Sequence, residues 1–312
     1  MFPTIDSVGW FIQQFAIHSY LVLALCVACS ATKLSDKADR DDVSGTVGGG
    51  VVAALVLDNT PRSSSEPWRL VWADEFDGPE LNPDHWFIES GDGRQYGIPG
   101  WGNNELQWYA AENVSVRDGH LVIEARAEAR NGKTYTSGRI NTRDRVAFRY
   151  GRIEARIKLP DGQGMWPAFW LLPQNDRYGT WAGSGEIDIL EAVNLGVDGR
   201  NDIHGTIHFG GPWPDNLQAG QAHIVSTSVV DQFHTYALEW DLEELRWYVD
   251  GQQYAKQTQW RTQAAPYPAP FDQPFYILLN LAVGGNWPGP PSSATVFPRQ
   301  IMVDYVRVYS GD

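Results

Sequence analysis

The chain reads as all-β, an antiparallel β-sandwich, on three observations. Short apolar or alternating runs recur from about Trp68 to Tyr309, Gly, Pro and Asn punctuate them, and no long helical period appears. The clearest runs are Trp68 to Trp72, Val114 to Val116, Leu121 to Ala127, Gly151 to Lys158, Phe233 to Trp240, Leu245 to Val249, Phe275 to Ala282 and Ile301 to Tyr309. Asp250-Gly251 between two of them is the dipeptide of a tight hairpin turn. About 240 residues of uniform texture suffice for one β domain with a large core. No internal repeat and no second domain is visible, and stacked sheets are the natural architecture.

In chain order, residues 1–30 read as a signal- or lipoprotein-like leader. Leu21 to Cys29 is an apolar run of signal-peptide length, short for a membrane span. No Lys or Arg precedes Lys33, so the usual basic start is missing, and an uncleaved anchor attaching the protein to a membrane is the competing reading. Ala28-Cys29 resembles the end of a lipoprotein signal, with Cys26 where Leu is usual; the expected location is secreted or cell-envelope, with lipidation at Cys29. Both cysteines of the chain lie here, so no disulfide is expected in the folded domain. Residues 31–65, with Gly48-Gly49-Gly50 and Ser63-Ser64-Ser65, read as a flexible linker, interrupted by an unexplained apolar stretch from Val51 to Leu57. Residues 66–312 are the expected folded domain, a monomer. Net charge is −14 and no basic stripe exists, which argues against nucleic acid as a partner.

The densest chemistry lies in Gly185-Glu186-Ile187-Asp188-Ile189-Leu190-Glu191. Alternation makes this a half-buried strand with Glu186 and Asp188 on one face and Ile187 and Ile189 on the other. Strict alternation would send Glu191 into the core, where an unpaired carboxylate is costly. One extra residue near Ile189-Leu190, a β-bulge, returns it to the face of the other two acids. Three carboxylates crowded on one face point to a metal or to acid/base chemistry; a solvated charged face is the bland alternative.

Fourteen tryptophans is many, and each alone is by default a core residue. Trp101, Trp181, Trp213 and Trp287, however, sit in Gly/Pro-rich loops or close to Glu186, where a core role is less expected. Indoles beside amides and carboxylates suit a sugar, whose apolar face stacks on the ring while polar groups bind its hydroxyls. Trp166 and Trp170 share one face of an alternating run, the cleft face for at least one of them. His204, Thr206 and His208 share a face of a further alternating run, which, paired with the carboxylate strand, sets an imidazole near Glu191. Zinc is a competing reading, weakened by the closeness of the acids and the lack of a tight His pair. Structural histidines are another.

With one bulge, Glu186 and Glu191 lie four effective strand steps apart, ~13 Å between Cα atoms. Side chains leaning inward by ~4 Å each would bring the carboxyls to ~5 Å, the separation of retaining glycosidases, in which one acid attacks the sugar and the other donates a proton. Asp188 between them would hydrogen-bond the nucleophile and raise the pKa of a neighbouring acid. Geometry alone leaves open which glutamate does which.

Glu186-Ile187-Asp188-Ile189-Leu190-Glu191 resembles the bulged E-x-D-x-x-E signature of family 16 glycoside hydrolases. The likeness runs from Asp74-Glu75-Phe76-Asp77-Gly78 to Val303-Asp304-Tyr305-Val306-Arg307-Val308-Tyr309, through the blocks Gly100 to Gln107, Ser137 to Ile140, Tyr150 to Arg156, Trp166 to Pro173 and His204 to His208. It is greatest to the laminarinase branch, the endo-1,3-β-glucanases. The resemblance implies that 66–312 is a glycoside hydrolase catalytic domain with a concanavalin-like jelly-roll fold, two antiparallel sheets with a cleft across the concave one. It implies Glu186 as nucleophile, Asp188 as its partner and Glu191 as general acid/base. It also carries over Trp166, Trp170, Trp181, Asn103, Asn104, Arg139, His204 and His208 as cleft residues, with Trp287 added from its loop. The implied partner is a β-glucan, 1,3-linked and also mixed 1,3-1,4-linked. Agarase- or carrageenase-like activity, transglycosylation and non-catalytic glucan binding are the alternatives. No cofactor is expected for catalysis. Many members hold a structural calcium, whose ligands here would be the backbone carbonyls of Glu75 and Gly119 and the Asp304 carboxylate, all oxygen donors as calcium prefers; a capped strand residue is the plain alternative for Asp304. The loop from Gly210 to His223, with Trp213-Pro214, has no place in this pattern.

Overall fold

A computed structural model describes residues 54–61, 67–230 and 232–311. The leader at 1–30, Cys29 included, and most of the expected linker lie outside the described residues. The architecture is the expected two-sheet sandwich. A nine-stranded sheet runs in the order Leu55–Asp58, Val146–Arg149, Phe275–Val283, Met165–Pro173, Glu186–Glu191, Asp202–Gly210, Asn216–Ile224, with Arg139–Asn141 on the Phe275–Val283 strand and Phe87–Ile88 beside it. An eight-stranded sheet runs Gln252–Gln257, Leu245–Val249, His234–Trp240, Gly151–Lys158, Arg299–Ser310, His120–Ala125, Val114–Arg117, with Arg69–Asp74 also paired to Arg299–Ser310.

Alternation explains how the sheets meet. Ile153, Ala155 and Ile157 of one sheet and Ile187, Phe169 and Ile207 of the other turn inward into a single apolar cluster. Every residue of Phe275–Val283 is buried, because this strand lies in mid-sheet and its outer face is covered too. Asn280 is the one polar residue in that strand.

The apolar stretch inside the expected linker is structural. Leu55–Asp58 forms an edge strand parallel to Val146–Arg149. Asp58 is ion-paired with Arg149, Asn59 Nδ2 donates to the Tyr150 carbonyl at 3.1 Å, and the Thr60 N–H donates to Ser310 Oγ at 2.9 Å. The expectation of a tether throughout 31–65 is corrected at this point: the strand-forming Leu-Val-Leu side chains find an open sheet edge.

The three residues expected to hold calcium converge. Arg69–Asp74 and His120–Ala125 pair with the same side of Arg299–Ser310, at Val306 to Ser310 and Arg299 to Val303 respectively. Asp304 and Tyr305 lie in the gap between them, at a bulge against Arg156 and Ile157. Glu75 follows the first of those strands and Gly119 precedes the second. Asp304 Oδ2 accepts from Arg156 Nη1 at 2.7 Å, and the Glu75 carboxylate takes both branches of Arg307 at 2.8 Å. The other Asp304 oxygen, Oδ1, lies 3.8 Å from His120 Nε2.

Candidate active site

The bulge is present where the acids require it. Glu186 pairs with His208, Asp188 with Thr206 and Glu191 with His204, the register shifting between Asp188 and Glu191. Six residues of the carboxylate strand, 186–191, thus span five of its neighbour, 204–208, and all three acids face one way, as do their three partners. On the other side, Asp188 pairs with Trp170 and Glu191 with Ala168, with the same shift. The bulge leaves the Asp188 carbonyl free to reach across the sandwich, where Trp247 Nε1 donates to it at 2.8 Å. Ile189 and Leu190 both stay buried.

Each glutamate has its own indole. Trp181 Nε1 donates to Glu186 Oε2 at 2.9 Å, and Trp166 Nε1 donates to Glu191 Oε1 at 3.0 Å. His208 Nε2 lies 3.3 Å from Asp188 Oδ2 and 3.6 Å from Glu186 Oε1. Burial pushes the Glu186 carboxyl up to about 7, and the Asp188 charge adds to the rise; the nearby His208 and the Trp181 hydrogen bond restrain it. Burial carries Glu191 well above the usual carboxylate range, with Asp188 and Glu186 both adding. For His208, burial favours the neutral ring, but the hydrogen bond to Asp188 and the surrounding carboxylates prevail and lift it to about 9. Glu186, Asp188 and His208 are near enough, within 4.8 Å of one another, to suggest a metal site. The same closeness lets His208 balance the two carboxylates directly, which is what lifts its pKa.

The remaining expected residues form the surround. Trp170 Nε1 donates to Asn280 Oδ1 at 2.7 Å. Arg139 is buried, ion-paired with Glu89 at 2.9 Å, and lies over the rings of Trp170 and Trp101 at 4.9 and 4.5 Å. The His204 ring is held by Asp202 at 3.0 Å and by Trp287 in an edge contact at 4.8 Å; Trp287 also meets Trp166 edge-on at 5.6 Å. Burial lowers the pKa of His204. Asn104 donates to Asn286 at 2.8 Å, tying its loop to that of Trp287, while Asn103 Nδ2 lies 3.4 Å from Glu105 Oε1.

Trp101 departs from expectation. It is buried, with Nε1 donating to the Gly91 carbonyl at 3.3 Å. Gly100 and Trp101 both adopt left-handed backbone, folding the loop inward so that the indole lies beneath Arg139. Sequence reasoning also missed a buried polar chain under the site: Asn280 Nδ2 donates to Tyr109 Oη and Tyr109 Oη to Glu105 Oε2, both at 3.2 Å, while Gln107 Nε2 donates to the same carboxylate. The signal that could have found it is Asn280, which needs partners amid eight apolar residues.

Two acids of raised pKa with an aspartate between them, ringed by indole and imidazole groups on one sheet face, define an acid/base site for a hydroxyl-rich substrate with apolar ring faces. A model of glycosyl hydrolases family 16 matches residues 102–307. Glucan endo-1,3-beta-glucosidase A1 of Niallia circulans is 40% identical over 295 residues, 88% of this chain but 41% of that protein's length. A beta-glucanase of Rhodothermus marinus is 42% identical over 268 residues, 80% of this chain and 87% of that one. Among solved structures, the Rhodothermus marinus laminarinase matches with a TM-score of 0.70 and 41% identity over 79% of this chain and 98% of its own. The laminarinase catalytic domain of Thermotoga maritima gives 0.70 and 39% over 79% and 100%. The chain belongs to glycosyl hydrolases family 16, and its sandwich is the jelly roll of these glucanases.

Proposed function

We propose that the protein is a retaining endo-1,3-β-glucanase that also cuts mixed-linkage 1,3-1,4-β-glucan. The glucanase relatives support the substrate class, among them an endo-1,3-1,4-beta-glycanase of Rhizobium meliloti, 37% identical over 226 residues. The observation that carries the mechanism is the asymmetry between two glutamates held on one face. Both accept from an indole N–H, but Glu186 also has His208 within 3.6 Å, which favours a carboxylate, whereas Asp188 and Glu186 both push Glu191 towards its protonated form. Glu186 attacks the anomeric carbon as the glycosidic bond breaks, and Glu191 passes its proton to the departing oxygen. Glu191 then takes a proton from water, whose oxygen displaces Glu186 and releases the sugar with its configuration retained. Asp188, with Oδ2 3.3 Å from His208 Nε2, keeps that imidazole beside the nucleophile.

The test is reducing-sugar release from laminarin, with NMR of the first-formed anomer. β-Anomer product is expected from the wild type, and at least ~10³-fold less turnover from Glu186→Gln and Glu191→Gln with glucan binding kept. Activity confined to agarose or carrageenan would overturn the substrate; unimpaired turnover in either variant would overturn the site. We also propose a structural calcium at Glu75, Gly119 and Asp304, supported by their convergence on the gap in the sheet. Chelation should then lower Tm and added calcium restore it; Asp304→Ala should be insensitive to both.

A further inference from the structure

The hairpin joining Asp202–Gly210 to Asn216–Ile224 is tied down yet turns its largest side chain outward. At its base the Gly210 N–H donates to the Arg261 carbonyl at 3.0 Å, and the Gln263 N–H to the Gly210 carbonyl at 2.9 Å. The Asp215 N–H closes the turn on the Pro212 carbonyl at 2.8 Å. The Trp213 N–H donates to the Trp181 carbonyl at 3.0 Å, and Trp181 is itself bonded to Glu186. Trp213 is thus anchored two links from Glu186, yet the residue is 73% exposed. An indole held out on an ordered hairpin gains nothing from burial in the folded chain and leaves its ring face open to a ligand.

The strand beyond the hairpin supplies a floor. Gln218, Gly220 and Ala222 pair with His208, Thr206 and His204, so they lie on the face that carries the three acids. The face here is uncharged and low. A Cβ on Gly220 would come within 2.6 Å of the Gly205 carbonyl and 2.7 Å of Thr206 Oγ1, so no side chain is accommodated there without a shift. The floor lies two strands from the acids, ~10 Å at ordinary strand spacing, too far for the ring undergoing cleavage.

We propose that Trp213, with the Gln218-to-Ala222 face, forms an outlying subsite that takes one glucosyl ring of a long β-glucan chain. The indole stacks on the apolar face of the pyranose, and the Gln218 amide bonds its hydroxyls. This rests on the glucan-cleaving reading above, and the test separates the two. Trp213→Ala and Trp213→Phe are compared with wild type on polymeric laminarin and on a series of shortening 1,3-β-oligosaccharides. Trp213→Ala is expected to raise KM for the polymer roughly tenfold with kcat nearly unchanged. The effect should fade as the chain shortens until the smallest cleaved oligomer shows none, and Trp213→Phe should recover part of the loss. Unaltered KM on the polymer, or an equal loss on the smallest oligomer, overturns the subsite. A wild type inactive on every 1,3-β-glucan overturns the function instead, and the same length series on the polysaccharide it does cut then decides Trp213. An unchanged Tm confirms that the variants are folded.

Discussion

Glu186 and Glu191 are the same residue type on the same strand, yet their neighbours set them apart. Burial raises both, Asp188 raises both and His208 restrains both; what differs is that His208 lies within 3.6 Å of Glu186, while Glu186 adds to the rise at Glu191. That cation restrains the rise at Glu186, so removing it has a signed consequence. In the His208→Asn variant the Glu186 carboxyl should rise above its value of about 7. The nucleophile must be ionised to attack, so the acidic limb of kcat/KM against pH should move to higher pH. A pH–rate profile checks this; an acidic limb that stays put would show that Glu186 does not govern it. The indole contacts teach a second residue-scale point. Trp166 and Trp181 each donate the indole N–H to a glutamate, so on the proposed function one side chain would serve the acid with its N–H and the sugar with its ring.

At the scale of the element, the bulge does two jobs. It brings Glu191 onto the face of the other acids, and it frees a carbonyl that must find a donor inside the sandwich. Trp247 Nε1 is that donor, and Gly205 makes room for its ring: a Cβ there would come within 2.5 Å of Trp247 Cδ1. Trp247→Phe keeps an aromatic ring but leaves the Asp188 carbonyl buried without its partner, at a cost of about 1–3 kcal/mol. Tm should fall by ~2–4 °C per kcal/mol lost. The bulge would relax and misplace Glu191, so kcat should fall more than KM rises. Thermal melts and steady-state kinetics read the two effects; a variant as stable and active as wild type would mean that the bulge holds without this bond.

Across the whole molecule, the site and the edge strand Leu55–Asp58 are far apart. Four strand spacings separate this strand from the carboxylate strand, ~19 Å. Its contacts are local: four paired residues, the Asp58–Arg149 ion pair, and the bonds of Asn59 and Thr60 to Tyr150 and Ser310. A chain beginning at Pro67 should therefore melt at a lower temperature, having lost these contacts and exposed the Val146–Arg149 edge, with kcat and KM on glucan unchanged. Equal melting temperatures would return this segment to the tether. The eight-stranded sheet carries no acid of the site, yet through Trp247 it braces the strand that does.

How much was legible follows from range. The all-β class, the shared face of Glu186 and Asp188, and the need for a bulge before Glu191 were all readable, because alternation and the cost of a buried charge are local rules. The shared face of His204 and His208 was readable for the same reason. The strand at Leu55–Asp58 was not, since a four-residue apolar run acquires meaning only from the edge it meets. Nor was the inward fold of Trp101, which depends on Arg139 waiting above it. The chain from Asn280 through Tyr109 to Glu105 joins residues up to 171 positions apart, a span no periodicity can report. The amino-acid order by itself determined which residues could be catalytic and that one of them needed a bulge. Only the tertiary structure decided which indole and which imidazole stand beside each acid, and hence what raises or restrains each carboxyl's pKa, because those partners arrive from other strands and loops and burial is a property of the assembled sheets.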